Sequence, residues 1–170
     1  MMLDIITHPN PSILQQECTP VVSDTLKEVK TQEWFQAMIA TMHYSNGIGI
    51  AGPQVGVLTQ ACIIGNEAFT KKISVRKGSI SLTEDLVLVN PTWHRLNRRT
   101  AWDTEGCLSI PKTFGKVKRS TVIRVECLDR FGNELVFDAH QFFARVIQHE
   151  IDHLHGVLFI EKAKDIYDID

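Results

Sequence analysis

What this chain lacks narrows it quickly. No apolar stretch approaches the roughly 18 residues that a membrane span requires, so no spanning helix and no membrane partner are expected. No run of basic residues stands out: 18 Lys and Arg stand against 20 Asp and Glu, a net charge of -2. Sequence-specific nucleic-acid binding therefore has no electrostatic footing. The opening MMLDIITHPNPS carries an acid at Asp4 and no positive region ahead of an apolar run. That excludes the pattern of a secretory signal or an Arg-rich transit peptide, and a cytoplasmic location is expected. Only four cysteines occur, Cys18, Cys62, Cys107 and Cys127, far apart and without a CxxC pair. A disulfide framework is not expected, and each is a small packing residue unless its neighbours single it out. Internal repeats, low-complexity tracts and linkers are missing too. At 170 residues and 44% apolar composition, one domain spanning residues 1–170 is the expected organisation.

What is present centres on Gln148-His149-Glu150-Ile151-Asp152-His153. On an α-helix four residues advance about 6 Å and turn about 40° beyond a full circle, so His149 and His153 share a face. Two imidazoles so placed can hold one metal ion, and Glu150 beside them can take a proton from water. The surrounding DAHQFFARVIQHEIDHLHG, from Asp138, repeats Phe142, Phe143, Val146, Ile147, Ile151 and Leu154 at three- and four-residue steps. This predicts a helix packed into a core and closed by Gly156. Burying two histidines there is costly unless each ring nitrogen finds a partner, and a metal supplies one.

Elsewhere, three of the six prolines fall between Ile6 and Pro20 and predict an extended N-terminal arm. From Ser23 or Asp24, Leu26, Val29, Trp34, Phe35, Met38, Ile39 and Met42 predict an amphipathic helix ending at Asn46-Gly47. GIGIAGPQVG, residues 47–56, is too rich in glycine for a regular helix or a central strand. A helix precedes it and a strand-like Val57–Ile64 follows, the reverse of a dinucleotide-binding order. It suits close backbone approach to a ligand, with Gln54 as its one amide donor. Residues 66–85 read as a surface loop or irregular hairpin, Leu86–Asn90 as a short strand ended by Pro91, and His94 to Arg99 as a solvated strand edge. Thr121–Asp129 and Glu134–Phe137 read as a hairpin.

A catalytic metal centre usually offers three protein ligands. Downstream of His153 the chain gives no histidine at the position where Phe159 stands, and Glu161 lies in a short tail. The third ligand is therefore sought upstream. Cys107, within Thr104-Glu105-Gly106-Cys107-Leu108-Ser109-Ile110-Pro111, is the best candidate, because such a turn can aim a side chain out of a sheet.

GIGIAGPQVG, EGCLSIP and QHEIDHLHG, in that order, resemble the three signature motifs of the peptide deformylases. HPNP near the start, LVNP at residues 88–91 and GVLFIEK near the end fit as well, so the resemblance covers nearly the whole chain. It implies that Cys107, His149 and His153 bind one divalent metal ion, ferrous iron foremost, with zinc or nickel able to occupy the site. It implies Glu150 as acid–base residue, and the Gln54 amide with the Leu108 backbone N–H as oxyanion donors. The implied substrates are N-formylmethionyl nascent peptides, paired strand-like to the Ile48–Gly49 backbone. Phe142 and Val146 match the wall of the methionine pocket. Glu105 is placed at the substrate site, and with Arg119 matches a pair bracing the Cys107 turn; an ordinary surface ion pair is the rival reading.

Departures from the family pattern are Gly52 in place of an alanine, expected to loosen the loop bearing Gln54, and Gln141-Phe142 in place of Gly-Leu, expected to reshape the pocket. Nothing long follows Glu161, whereas many bacterial relatives carry a C-terminal helix for ribosome contact, so ribosome docking is in doubt. Two other functions stay open: a metal-dependent amidase on another small amide, and a metal-binding homologue without catalysis. The expected fold is α+β, with antiparallel or mixed sheets around a central helix bearing the HExxH motif and the first helix packed outside.

Overall fold

A computed structural model describes residues 2–70 and 73–170. Its elements in order are α1 (Pro11–Leu14), α2 (Val29–Tyr44), β1 (Gly49–Ala51), β2 (Ala61–Ile64), β3 (Ser74–Lys77) and β4 (Leu86–Arg95). Then come β5 (Thr100–Cys107), β6 (Ile110–Ser120), β7 (Val122–Leu128), β8 (Glu134–His140), α3 (Gln141–Leu154) and β9 (Lys164–Asp168). Six strands form one sheet in the order β1-β2-β4-β7-β8-β3, and β5-β6-β9 form a second. Every pairing between them is antiparallel, so the α+β expectation holds without its mixed-sheet alternative.

The large sheet is covered on both faces, and this decides where α3 lies. Cys62, Ile64, Leu88, Ile123, Val125 and Phe137 face Phe143, Ile147, Ile151 and Leu154 of α3. The alternate residues Ile63, Val87 and Val89 turn to Phe35, Met38 and Met42 of α2. Because side chains alternate along a strand, all four residues of β2 are buried, two toward each helix. Each large apolar side chain so buried contributes about 1.5–3 kcal/mol. The far side of α3 meets the small sheet, leaving eleven of its residues buried. Its polar residues must find partners there. Gln148 does so by donating to Ser120 O (2.8 Å) and accepting from Ser120 N (3.0 Å).

Several expectations are corrected. The first helix breaks at Glu28 (ψ 137°), which ends a 3-10 turn (Ser23–Lys27) and starts α2. The Gln32 amide steadies that corner by donating to Leu26 O at 2.7 Å. The helix expected from Asp138 starts at Gln141, because Asp138–His140 complete the ladder with β7. β4 does not stop at Pro91: it runs on to Arg95, absorbing the proline in an irregularity between Val89 and Thr92. There Asn90 adopts φ 50° and its amide pairs with Val21 N and O. The strand expected over 57–64 is confined to Ala61–Ile64. The loop expected over 66–85 contains β3, while Lys71 and Lys72 lie outside the described residues, as does Met1 of the opening stretch. The short tail after Glu161 forms β9 on the edge of the small sheet. No helix among the described residues is long and apolar enough to cross a membrane. Gly156, at φ 70°, closes α3 as expected.

Gly52 does not loosen its loop. It is buried, and a Cβ there would stand 2.7 Å from Val57 O and 3.0 Å from Thr59 O, so only glycine fits this backbone. Gly52→Ala is expected to destabilise the fold by about 1–3 kcal/mol through overpacking, measured as a lowered urea midpoint with unchanged slope. A variant as stable as the parent would refute this fit.

Candidate metal centre

Three backbone features bring the site together. The β5–β6 turn carries Cys107, α3 carries His149, Glu150 and His153, and a 3-10 turn over Gly52–Val55 carries Gln54. The N-terminal arm ties two of these pieces: Ile6 N donates to Gln54 O (2.8 Å) and His8 N to Ser109 O (2.7 Å).

One candidate ligand atom from each of Cys107, His149 and His153 can be chosen so that all lie within 4.8 Å of one another. Cys107 Sγ and His153 Nε2 are 3.2 Å apart, and the two imidazole centroids are 5.1 Å apart at 72°. His149 Nδ1 lies 2.9 Å from Glu105 Oε2. That carboxylate also receives two bonds from Arg119 (2.9 Å each) and one from Arg145 (2.7 Å). A carboxylate so held is an acceptor only, so Nδ1 carries a hydrogen toward it and Nε2 is the ring atom left to face the cluster.

The electrostatics agree with a cation site. Burial would raise the Cys107 thiol, but the His153 and His149 imidazoles outweigh it and hold the thiol well below its ordinary value. His149 resists burial through its bonds to Cys107 and Glu105 and is raised to about 10. The other thiols go the opposite way. Burial, reinforced by Glu17, raises Cys18 to about 11; burial with Asp129 raises Cys127 to about 12; burial raises Cys62 well above its ordinary value. Of the four thiols only Cys107 is pushed toward the thiolate, the form in which a cysteine binds metal.

Glu150 is 4% exposed, and among the described residues its Oε2 has no hydrogen-bond partner. Burial pushes its carboxyl up to about 7, partly offset by His149 and His153. Gly49 makes room for it, since a Cβ at that position would overlap the Glu150 carboxylate. Gln54, 1% exposed, accepts from Ala51 N through Oε1 (2.8 Å). This aims its Nε2 at Ser109 Oγ (3.2 Å) and Cys107 Sγ (3.5 Å). Gln54 thus has the structural task that sequence reading did not find for it.

A cavity of about 430 Å³ opens over the cluster, and ten of the eleven sequence-assigned residues line it: Ile48, Gly49, Gln54, Glu105, Cys107, Leu108, Phe142, Val146, His149 and Glu150. His153 is buried beneath, at 1% exposure. Glu105 lies on the cavity wall with both its oxygens engaged by Arg119, Arg145 and His149. With Glu105 and Arg119 at 7% and 5% exposure, the surface-ion-pair alternative falls.

Sequence reading missed Arg145, which donates to Glu105, Val117 O (2.9 Å) and Ala101 O (2.8 Å). It missed Asp152 as well, held by Arg119 and Lys162. The signal for Arg145 was present: a cation four residues before His149, on the face that must be buried.

Comparison with known proteins points one way. A profile of the polypeptide deformylase family matches residues 2–168. Peptide deformylase 1 of Bacillus cereus is 38% identical over 167 residues, covering 98% of this chain and 96% of that protein. An actinonin-bound class I type b peptide deformylase from Acinetobacter baumannii superposes with a TM-score of 0.82 at 30% identity, over 96% of this chain and 99% of that one. A Met-Ala-Ser-bound structure of the Acinetobacter enzyme gives 0.81 at 30%, over 95% and 98%.

Two outcomes are expected from the site as built. Because burial raises Glu150, the native metal-stripped protein binds a proton that the unfolded chain has released between about pH 4.5 and 7. Its stability falls as pH rises through that window, so Glu150→Gln should stabilise the metal-stripped protein at pH 8 by on the order of 2 kcal/mol. Denaturant midpoints at pH 5 and pH 8 measure this, and an equal gain at both would refute it. Arg145→Leu should weaken metal retention by about tenfold in chelator competition, with Arg145→Lys recovering part of the loss. Retention unchanged in Arg145→Leu would remove Arg145 from the site.

Proposed function

This chain belongs to the peptide deformylase family, and on that premise we propose how its own residues carry out the reaction. The protein is a metal-dependent hydrolase that removes the formyl group from N-formylmethionyl peptides and releases formate. We assign Cys107, His149 and His153 as metal ligands. The observation that carries this is the convergence of one thiolate and two imidazoles within 4.8 Å, under a cavity that also holds Glu150. A set of one cysteine sulfur and two imidazoles suits iron, zinc or nickel, and the family resemblance favours ferrous iron. When bound, a divalent ion supplies Lewis acidity and makes water a nucleophile near neutral pH.

The rest falls to the chain. Glu150, buried and with its Oε2 unpartnered among the described residues, accepts a proton from the attacking water and returns it to the departing amine. The Gln54 amide and the Leu108 N–H are assigned to the carbonyl oxygen as it gains charge. Gln54 is suited to this because its Oε1 is already committed to Ala51, so the donor half is fixed before substrate arrives. Gly49, the first residue of edge strand β1, and Ile48 just before it offer backbone to the peptide, and Val146 and Phe142 offer apolar wall to the methionine. The Met-Ala-Ser peptide held by the Acinetobacter relative supports that reading of the cavity. We further assign the whole of residues 1–170 to one catalytic domain acting in the cytoplasm on nascent chains.

Formate release from a formylated methionyl peptide, under reducing and oxygen-poor conditions, tests the assignment. Glu150→Gln should retain its metal by elemental analysis yet lose about 10²–10⁴-fold in kcat, the range of a positioned acid–base group. Metal-replete Glu150→Gln with full turnover would overturn the role given to Glu150.

A further inference from the structure

The small sheet contains an irregularity that the reaction as described does not use. β5 and β6 pair regularly from Thr100↔Ser120 to Gly106↔Phe114, and then Cys107 faces Ile110. Pro111, Lys112 and Thr113 are thus squeezed out of the ladder immediately beyond the ligand turn. Lys112 sits at φ 65°, a left-handed conformation that a lysine rarely adopts. Such bulges re-aim side chains, and here Lys112 is turned to line the catalytic cavity.

β9 holds the bulge in place. Ile169 N donates to Lys112 O (2.8 Å), Thr113 Oγ1 donates to Asp168 Oδ1 (2.7 Å), and the Phe114 and Tyr167 rings stack at 5.8 Å. Lys112 is exposed, and among the described residues it forms no ion pair. The cavity's other full-time cation, Arg145, spends its donors on Glu105 and two carbonyls. Of the cavity's acids, Glu105 is neutralised by guanidinium groups and Glu150 is buried beside the cluster. The nearest carboxylate on the neighbouring strand, Asp168, is engaged by Thr113.

Resting on the deformylase reading, we propose that Lys112 is a specificity-determining residue at the cavity mouth that recognises a carboxylate on the peptide downstream of the formylmethionine. An acidic side chain or the free C-terminus of a short peptide supplies the same chemistry. The β9-propped bulge provides the fixed backbone from which that ammonium reaches the passing chain.

The test compares kcat/KM of the metal-loaded enzyme on formyl-Met-Ala-Glu-amide, formyl-Met-Ala-Lys-amide, formyl-Met-Ala-Ser-amide and the last peptide as its free acid. The glutamyl peptide should exceed the lysyl one by about threefold at low salt, the size of an exposed ion pair, and the ratio should fall toward one at 1 M salt. The free acid exceeding its amide identifies the C-terminus as a second source of the charge; equality there assigns recognition to side chains alone, and both support the proposal if the glutamyl preference stands. Lys112→Glu should invert the glutamyl-to-lysyl ratio. Turnover of all peptides with a ratio of one in the parent, or an unchanged ratio in Lys112→Glu, overturns the role of Lys112 while leaving the deformylase reading intact. Absence of formate from every peptide overturns that reading and this inference with it. Were Lys112→Glu not to fold, the salt dependence of the parent decides alone.

Discussion

A single buried carboxylate holds the catalytic half of this molecule together. Glu105 leaves β5 and is gripped by Arg119 from β6, Arg145 from α3 and His149 from the same helix. A lone carboxylate at 7% exposure would be intolerable, and three hydrogen bonds from two guanidinium groups, with a fourth from His149, make it tolerable. The network is worth less as stability than as geometry, since buried ion pairs seldom beat apolar packing in net energy. What it fixes is the relation between two elements that share no covalent constraint nearby. The hairpin bearing Cys107 and the helix bearing the imidazoles are locked in one register, and a thiolate can then meet two rings.

That lock explains why a helix so rich in polar residues can be buried nearly all round. Arg145, Gln148, His149, Glu150 and His153 all lie inside, and most of their valences are answered by the small sheet. The exceptions are informative. Among the described residues, five buried side-chain atoms have no partner, and Glu150 Oε2 and His153 Nδ1 are two of them. Polar atoms kept dry and unsatisfied are expensive, and their concentration at the cluster marks where chemistry takes precedence over stability.

The parts legible in the sequence were those written in local periodicity or in residue type. The α3 spacing placed both imidazoles on one side, and the flanks of Cys107 separated it from three packing thiols. Those three thiols are pushed upward by burial while Cys107 goes down, which is the distinction that composition alone could only suggest. What stayed hidden depends on tertiary context. β4 continues past Pro91 because Asn90 takes a left-handed turn and clips to Val21, sixty-nine residues away. The corner at Glu28 depends on Gln32 reaching back to Leu26, and β3 and β9 exist only because sheet edges were available to pair. Glu105 was visible as a brace, yet its second guanidinium comes from forty residues downstream, where an apolar stripe disguised it.

β1 is three residues long and lies at the end of the large sheet, with β2 on one flank only. Its outer amides and carbonyls are therefore a template, but a very short one. A guest chain laid alongside gains main-chain bonds for only a residue or two before the backbone curls into the Gly52–Val55 turn. Such a dock can grip any sequence briefly and then let it go, and it is too small to seed the edge-to-edge association that longer open borders invite.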